Sequence, residues 1–201
     1  MTTTQVSGLT DTQLPKLSTA QLQALGTDVT GLTTAAVAAI GTALAPSLSS
    51  LQVAALSSDQ VRAITTASFA AMTTDQLVKF TTDQVPILTT AQIVALTTGQ
   101  AAALLNTQVE KLTTEQLVAM QTADFGKLST DAIVSLTTAQ AANLTTAQVQ
   151  AISATQLVKL QTEDLAALSS DSIAALTATQ VPLLTTDQIV ALSTLQASAI
   201  T

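Results

Sequence analysis

Residues 112–119 read Leu-Thr-Thr-Glu-Gln-Leu-Val-Ala, and octads of this kind follow one another along the whole chain of 201 residues. The chain divides from Met1 into 24 octads, one seven-residue unit at residues 25–31 and a final Ile-Thr, with no linker between units. Their consensus is Leu-Thr-Thr-x-Gln-Val-x-Ala, in which positions 1 and 6 are apolar throughout. A fixed period of this length predicts a repeat architecture.

Positions 2 and 5 of the octad form the sequence pattern of a helix start. In the octad at residues 112–119, Thr113 and Gln116 have the spacing of a capping box, in which each side chain accepts the backbone N–H of the other residue. The same frame makes Leu112 and Leu117 the two apolar residues of a hydrophobic staple. Each octad therefore predicts a helix of five or six residues that ends at the next position 1.

The acidic residues support this frame independently. Of the thirteen Asp and Glu residues, nine fall at position 4, the second residue of each predicted helix. A carboxylate is favoured there because the first turn carries the positive end of the helix dipole. The nine are Asp28, Asp59, Asp75, Asp83, Glu115, Asp131, Glu163, Asp171 and Asp187.

Helices this short are not stable alone in water, so they must bury their apolar residues against neighbouring octads. The sequence therefore predicts an all-α solenoid of about 25 octapeptide units, each a short capped helix, with a β-solenoid as the alternative. All six basic residues fall in even-numbered units, which favours two octads, or sixteen residues, per coil. They are Lys16, Arg62, Lys79, Lys111, Lys127 and Lys159.

The array is predicted to be one continuous domain, residues 1–201, with an irregular patch at residues 25–47 where Gln is absent from position 5 and one residue is missing. Four prolines share position 7 and are out of place in a continuous helix. We expect their octads to make one turn and then bend. The prolines are Pro15, Pro46, Pro86 and Pro182.

Composition excludes most catalytic chemistry. The chain has no Cys, His, Trp or Tyr, so it lacks the Ser-His-Asp and Cys-His nucleophiles and the usual zinc ligands. We therefore predict no enzyme activity, no catalytic, cofactor-binding or metal-binding residues, and no cofactor. A net charge of −7 argues against nucleic acid, and no apolar run is long enough for membrane insertion.

Position 5 is Gln in 17 of the 25 units. Capping alone is the favoured explanation of this residue, and glutamine ladders between coils are the alternative. The first and last units carry no atypical capping sequence, so we expect self-association end to end or continuation in a longer array.

Over its whole length, the chain resembles the Thr/Ala/Gln-rich octapeptide-repeat tracts of large secreted or surface bacterial proteins, adhesin-like or fibre-forming. The resemblance is compositional and implies an extracellular or cell-surface location, although a cytoplasmic one stays open. We expect a non-enzymatic structural module that serves as subunit of an extracellular filament or as a stiff spacer. The alternative is a solenoid scaffold that binds a protein or glycan partner.

Overall fold

The computed structural model describes residues 2–200, in which all regular secondary structure is helical. The chain divides into two compact units, Met1–Gln100 and Ala101–Thr201. The boundary lies within the helix Thr98–Ala103. Each unit is an α-solenoid of short helices, which confirms the predicted fold class.

In the first unit the α-helices are Thr3–Val6, Thr19–Ala24, Thr34–Ala38, Ser50–Ala55, Ser58–Ala63, Thr66–Ala71, Thr74–Leu77 and Thr90–Val94. Its 3₁₀ helices are Leu14–Lys16, Gly26–Gly31, Ala45–Ser47 and Val85–Ile87. In the second unit the α-helices are Asn106–Lys111, Thr114–Ala119, Thr122–Phe125, Thr130–Val134, Thr138–Ala142, Thr146–Ala151, Ala154–Lys159, Thr162–Ala167, Ser170–Ala174, Thr186–Val190 and Thr194–Ala199, with a 3₁₀ helix at Val181–Leu183.

The helix starts follow the predicted capping chemistry. The Thr113 hydroxyl accepts the N–H of Gln116, the Gln116 side chain accepts the N–H of Thr113, and the helix Thr114–Ala119 follows. It ends at Met120, whose backbone is extended. Position 1 is therefore both the end of one helix and the residue before the next cap.

The apolar positions build the core of each unit. The position 6 residues Val109, Leu117, Val149 and Leu165 are fully buried, and the position 1 leucines pack beside them. The three phenylalanines, at positions 1 and 6, are also core residues: all three are buried, and the rings of Phe69 and Phe80 lie 5.7 Å apart.

The four prolines lie inside the short 3₁₀ helices, each at the second residue. In the octad that holds Pro86, the amides of Gln84 and Val85 bond the carbonyl of Thr81, which closes one turn, and the 3₁₀ helix Val85–Ile87 follows. The prediction of one turn followed by a bend is therefore confirmed. The proline tolerates this place because a 3₁₀ turn does not require its missing N–H.

The irregular patch also contains 3₁₀ helices. The seven-residue unit forms the 3₁₀ helix Gly26–Gly31 in place of an α-helix. Gly26 has φ of +54°, a conformation that favours glycine. At Gly31 the backbone of Thr3 approaches so closely that an added Cβ would lie 2.2 Å from the Thr3 carbonyl oxygen.

The predicted coil of sixteen residues is wrong. Helices that pack together begin 24 residues apart in the chain. Thr34–Ala38 packs against Ser58–Ala63, and Thr138–Ala142 packs against Thr162–Ala167. The hydrogen bonds that position 5 glutamines donate to the preceding coil join residues 28 to 31 apart, because position 5 of one octad reaches positions 1 and 6 of earlier octads. A coil therefore contains three octads, and the even placement of the basic residues does not mark two flanks of a coil.

No helix within residues 2–200 has the length and apolar character needed to cross a membrane.

Candidate functional site: the glutamine ladder between coils

The position 5 glutamine makes two sets of hydrogen bonds at once. The Oε1 atom of Gln140 accepts the N–H of Thr137 at 2.8 Å and completes the capping box of its own helix. Its Nε2 atom donates to the main-chain oxygens of Val109 at 2.9 Å and Leu112 at 2.7 Å, in the preceding coil. The side chain is almost completely buried. One residue thus starts a helix and bonds that helix to the coil before it.

The same bond recurs along each unit, and we call this row of side chains the glutamine ladder. In the first unit its donors are Gln52, Gln60, Gln76, Gln84, Gln92 and Gln100. In the second unit its donors are Gln140, Gln148, Gln156, Gln180, Gln188 and Gln196.

Of the two acceptors of Gln140, the position 6 carbonyl of Val109 also accepts the N–H of Leu112, whereas the position 1 carbonyl is one that the helix end leaves without a backbone partner. The last carbonyls of any helix have no intrahelical donor. Leu112 has an extended backbone at the end of the helix Asn106–Lys111, and its carbonyl would be buried and unpaired without Gln140. A buried polar atom without a hydrogen bond costs about 1–3 kcal/mol, so the ladder removes a recurrent penalty.

The prediction that capping alone explains position 5 is therefore wrong, and the ladder alternative is correct. Capping uses only the side-chain oxygen of Gln140. Because the side chain is buried, its amide nitrogen also needs an acceptor. The preceding coil supplies that acceptor.

Serine occupies two positions of the ladder. At the helix that begins after Ser169, the Ser169 hydroxyl accepts the backbone N–H of Ser172 and donates to the Ser172 hydroxyl oxygen, both at 3.0 Å. Ser172 Oγ lies 3.2 Å from the carbonyl oxygen of Leu144, and Ser68 Oγ bonds the carbonyl of Ile40. At these two positions a serine hydroxyl therefore replaces the glutamine amide as the donor to the preceding coil.

Aspartate occupies two further positions, Asp124 and Asp164, and both side chains are buried. Burial raises the pKa of each carboxyl. For Asp164, a hydrogen bond from Thr138 lowers the pKa in part, and the nearby charge of Glu163 raises it. The Oδ2 atom of Asp164 has no hydrogen-bond partner within residues 2–200. At this position the ladder therefore contains a buried polar atom without a hydrogen bond.

The octad of Asp164 supplies its amide donor from another position. Gln161 stands at position 2, where most octads have Thr or Ser, and its Nε2 atom donates to the main-chain oxygen of Val134 at 2.7 Å. The donor to the preceding coil has moved from position 5 to position 2. The sequence carries a signal of this exchange, because Gln at position 2 and Asp at position 5 occur together in residues 120–127 and 160–167.

The acidic residues at position 4 lie on separate helices. Asp131, Glu163, Asp171 and Asp187 lie exposed in the first turns of separate helices. Within residues 2–200, no three Asp or Glu side chains lie close enough to hold a metal ion.

A scan against protein-family models matches the chain to the ALTTAQ repeat at residues 53–90, 117–154 and 157–194. These segments cover more than half of the chain. The chain belongs to the ALTTAQ repeat family. A search of curated proteins finds no match.

Each ALTTAQ match contains a complete bond of the glutamine ladder. The three matched segments begin at Val53, Leu117 and Leu157, whose carbonyls accept the Nε2 atoms of glutamines 31 residues further along the chain. These donors are Gln84, Gln148 and Gln188, and all three lie inside the same matched segments. An ALTTAQ match therefore includes more than one coil.

Proposed function

We propose that this ALTTAQ array is a non-enzymatic structural module, used as a stiff spacer in a surface protein or as a subunit of an extracellular filament. The single observation that carries the proposal is the glutamine ladder. Stability in a solenoid comes from contacts between neighbouring repeats. Here many of these contacts include buried, directional hydrogen bonds, such as those of Gln84 to Val53 and Leu56.

Such bonds favour a fixed stacking of coils. Apolar side chains alone allow neighbouring helices to slide, since dispersion contacts have little directionality. A glutamine amide that fits between two carbonyls fixes the register of one coil on the next. Gln188 does so with Leu157 and Leu160, both at 2.9 Å. Fixed register is the property that a spacer or a filament subunit needs.

The surface composition is consistent with this role. The exposed positions are mainly Thr, Ser, Ala and a few carboxylates, and the chain has no Cys that oxidation could crosslink outside the cell. An adhesin-like or surface location is the setting in which a long, chemically inert spacer is useful.

Electron microscopy and light scattering test the structural role. A spacer should give monomeric particles of uniform length, and a filament subunit should give polymers of one width. Particles of variable shape and length at low concentration would contradict both forms of the proposal.

The location needs a separate test on the native cells. An antibody raised against the array should label intact cells, and protease treatment of intact cells should remove the antigen. Antigen that is protected until the cells are lysed would contradict a surface location.

A binding scaffold is the second candidate, favoured by one observation. A shallow cavity of about 430 Å³ lies beside Gln150, Ser153, Thr177 and Leu183, with both polar and apolar side chains at its edge. Binding of a glycan or peptide that Thr177→Trp abolishes, with Thr146→Trp as an exposed control, would favour the scaffold over the spacer.

A further inference from the structure

We infer that Asn143 is a glycosylation site, whose side-chain amide carries an N-linked sugar. Residues 143–145 read Asn-Leu-Thr and match Asn-x-Ser/Thr, the sequence at which glycosyltransferases attach sugars to asparagine. We call these three residues the glycosylation sequence. The inference rests on the proposed surface location and adds a covalent modification to it.

The glycosylation sequence occurs once in the chain. The two asparagines of the chain are Asn106 and Asn143. Asn106 is followed by Thr107 and Gln108, so no hydroxyl side chain stands two residues after it. Asn143 is position 8 of its octad, and the next octad then supplies a leucine at position 1 and Thr145 at position 2. The glycosylation sequence therefore spans the junction of two octads.

The amide of Asn143 lies at the protein surface. Asn143 is exposed, whereas the position 8 alanines Ala151 and Ala167 are half buried. Its Nδ2 atom donates to the carbonyl oxygen of Ala139 at 2.8 Å, in a hydrogen bond that is open to solvent at the end of the helix Thr138–Ala142. A sugar on Nδ2 can therefore extend into solvent without displacing core side chains.

Asn143 is also separate from the glutamine ladder. In its octad the ladder donor is Gln140, which bonds the cap N–H of Thr137 and the carbonyls of Val109 and Leu112. The amide of Asn143 instead bonds a carbonyl of its own helix, four residues earlier. Modification of this amide therefore leaves the hydrogen bonds between coils intact.

The reaction at Asn143 is a glycosyl transfer. The Nδ2 atom forms a bond to the anomeric carbon of a sugar that is activated as a pyrophosphate ester. The bond from that carbon to the pyrophosphate breaks, and a base of the transferase takes one amide proton. The product keeps the second N–H of the amide, which can still donate to the carbonyl of Ala139.

Thr145 has two roles that substitutions can separate. Its hydroxyl accepts the N–H of Gln148 at 3.2 Å and caps the helix Thr146–Ala151, and it is the hydroxyl of the glycosylation sequence. Aspartate caps helices about as well as serine but has no hydroxyl. Thr145→Asp should therefore keep the helix and prevent glycosylation, whereas Thr145→Ser should allow both.

Mass spectrometry of the chain purified from its native cells gives the readout. Cleavage after lysine releases residues 128–159, in which Asn143 is the one asparagine, and residues 80–111, which contain Asn106 as an internal control. Fragmentation by electron transfer keeps the sugar on the residue that carries it. We expect a sugar on Asn143 and none on Asn106.

The variants, expressed in the same cells, test the glycosylation sequence. Thr137→Asp is the matched control, because it replaces the cap of another helix in the same unit outside the glycosylation sequence. Thr145→Ser and Thr137→Asp should keep the sugar. Thr145→Asp and Asn143→Gln should lose it, and Asn143→Gln changes no helix cap. Circular dichroism spectra of the two aspartate variants should match.

Two results would overturn the inference. One is an unmodified Asn143 in chain purified from native cells, and the other is a sugar that lies on Ser or Thr or persists in Thr145→Asp. The location is measured separately by antibody labelling of intact cells. An unmodified chain on the cell surface would therefore refute the glycosylation site and leave the proposed function standing, and a chain held inside the cell would contradict the proposed location itself.

Discussion

Gln140 and Leu112 are 28 residues apart in the chain, and the Nε2 atom of Gln140 lies 2.7 Å from the main-chain oxygen of Leu112. The same glutamine completes the cap with Thr137, so the start of one helix and the end of another depend on a single side chain. The glutamine ladder therefore couples secondary structure to the stacking of coils.

Replacing Gln140 with Leu should destabilise the second unit strongly. The change removes the acceptor of the Thr137 N–H and leaves the buried carbonyls of Val109 and Leu112 without this donor. We expect a loss of about 2–4 kcal/mol in the free energy of unfolding, measured by urea denaturation.

The matched control is Gln150→Leu. Gln150 is exposed, and its amide bonds the carbonyl of Ala175 at the surface, where water can replace it. A change within about 0.5 kcal/mol is expected there. Equal losses in the two variants would show that burial of the ladder amide contributes nothing.

The capped helices could be predicted from the sequence of one octad, but the number of octads per coil could not. Thr113, Gln116 and Leu117 specify a capped helix through contacts within one octad, which the sequence spacing states directly. The number of octads per coil depends on the angle at each extended residue such as Met120, which no residue type determines alone. The sequence therefore shows the repeated Gln of the ladder. Only the structure identifies the carbonyls that accept its amide, which lie 28 and 31 residues earlier in the chain.

Substitution by alanine should have opposite effects on stability at two glycines of the irregular patch. At Gly31, an added Cβ would lie 2.2 Å from the carbonyl oxygen of Thr3, so Gly31→Ala must displace backbone. We expect a clear drop in the melting temperature of the first unit and faster proteolysis near Thr3.

Gly41 provides the control because nothing lies within 4 Å of its added Cβ, and its φ is not positive. Gly41→Ala should be neutral or stabilise by about 0.4–1 kcal/mol, since alanine restricts the unfolded chain. A Gly31→Ala protein that melts like Gly41→Ala would contradict the close approach of Thr3.

Core packing predicts that substitution by alanine costs much more stability at position 6 than at position 7. Leu165 at position 6 is fully buried, and Leu165→Ala should cost about 2–5 kcal/mol in unfolding free energy. Val158 at position 7 is 42 % exposed, and Val158→Ala should cost less than 1 kcal/mol. Similar losses at the two sites, measured by chemical denaturation, would mean that position 6 is not the core of the coil.

Asp164 should make the stability of the second unit depend on pH. Burial raises the pKa of this carboxyl above its ordinary value of 3.8, so the folded state holds the proton more tightly than the unfolded state. Stability is therefore greatest below about pH 3.8 with respect to this group, and it falls as pH rises through the raised pKa. The groups that act on it are Thr138, which donates a hydrogen bond, and Glu163, whose charge opposes ionisation.

Asp164→Asn keeps the size of the side chain and removes the charge. We expect its melting temperature to exceed that of the unaltered chain at pH 7, and the difference to shrink toward zero below pH 3.8, because both side chains are then neutral. Asp171→Asn is the control: this exposed carboxylate lies in the first turn of the helix Ser170–Ala174, where its charge is favourable, so its loss should not raise the melting temperature. A gain for Asp164→Asn that is the same at pH 3.5 and pH 7 would show that the stabilisation comes from the amide and not from removal of a buried charge.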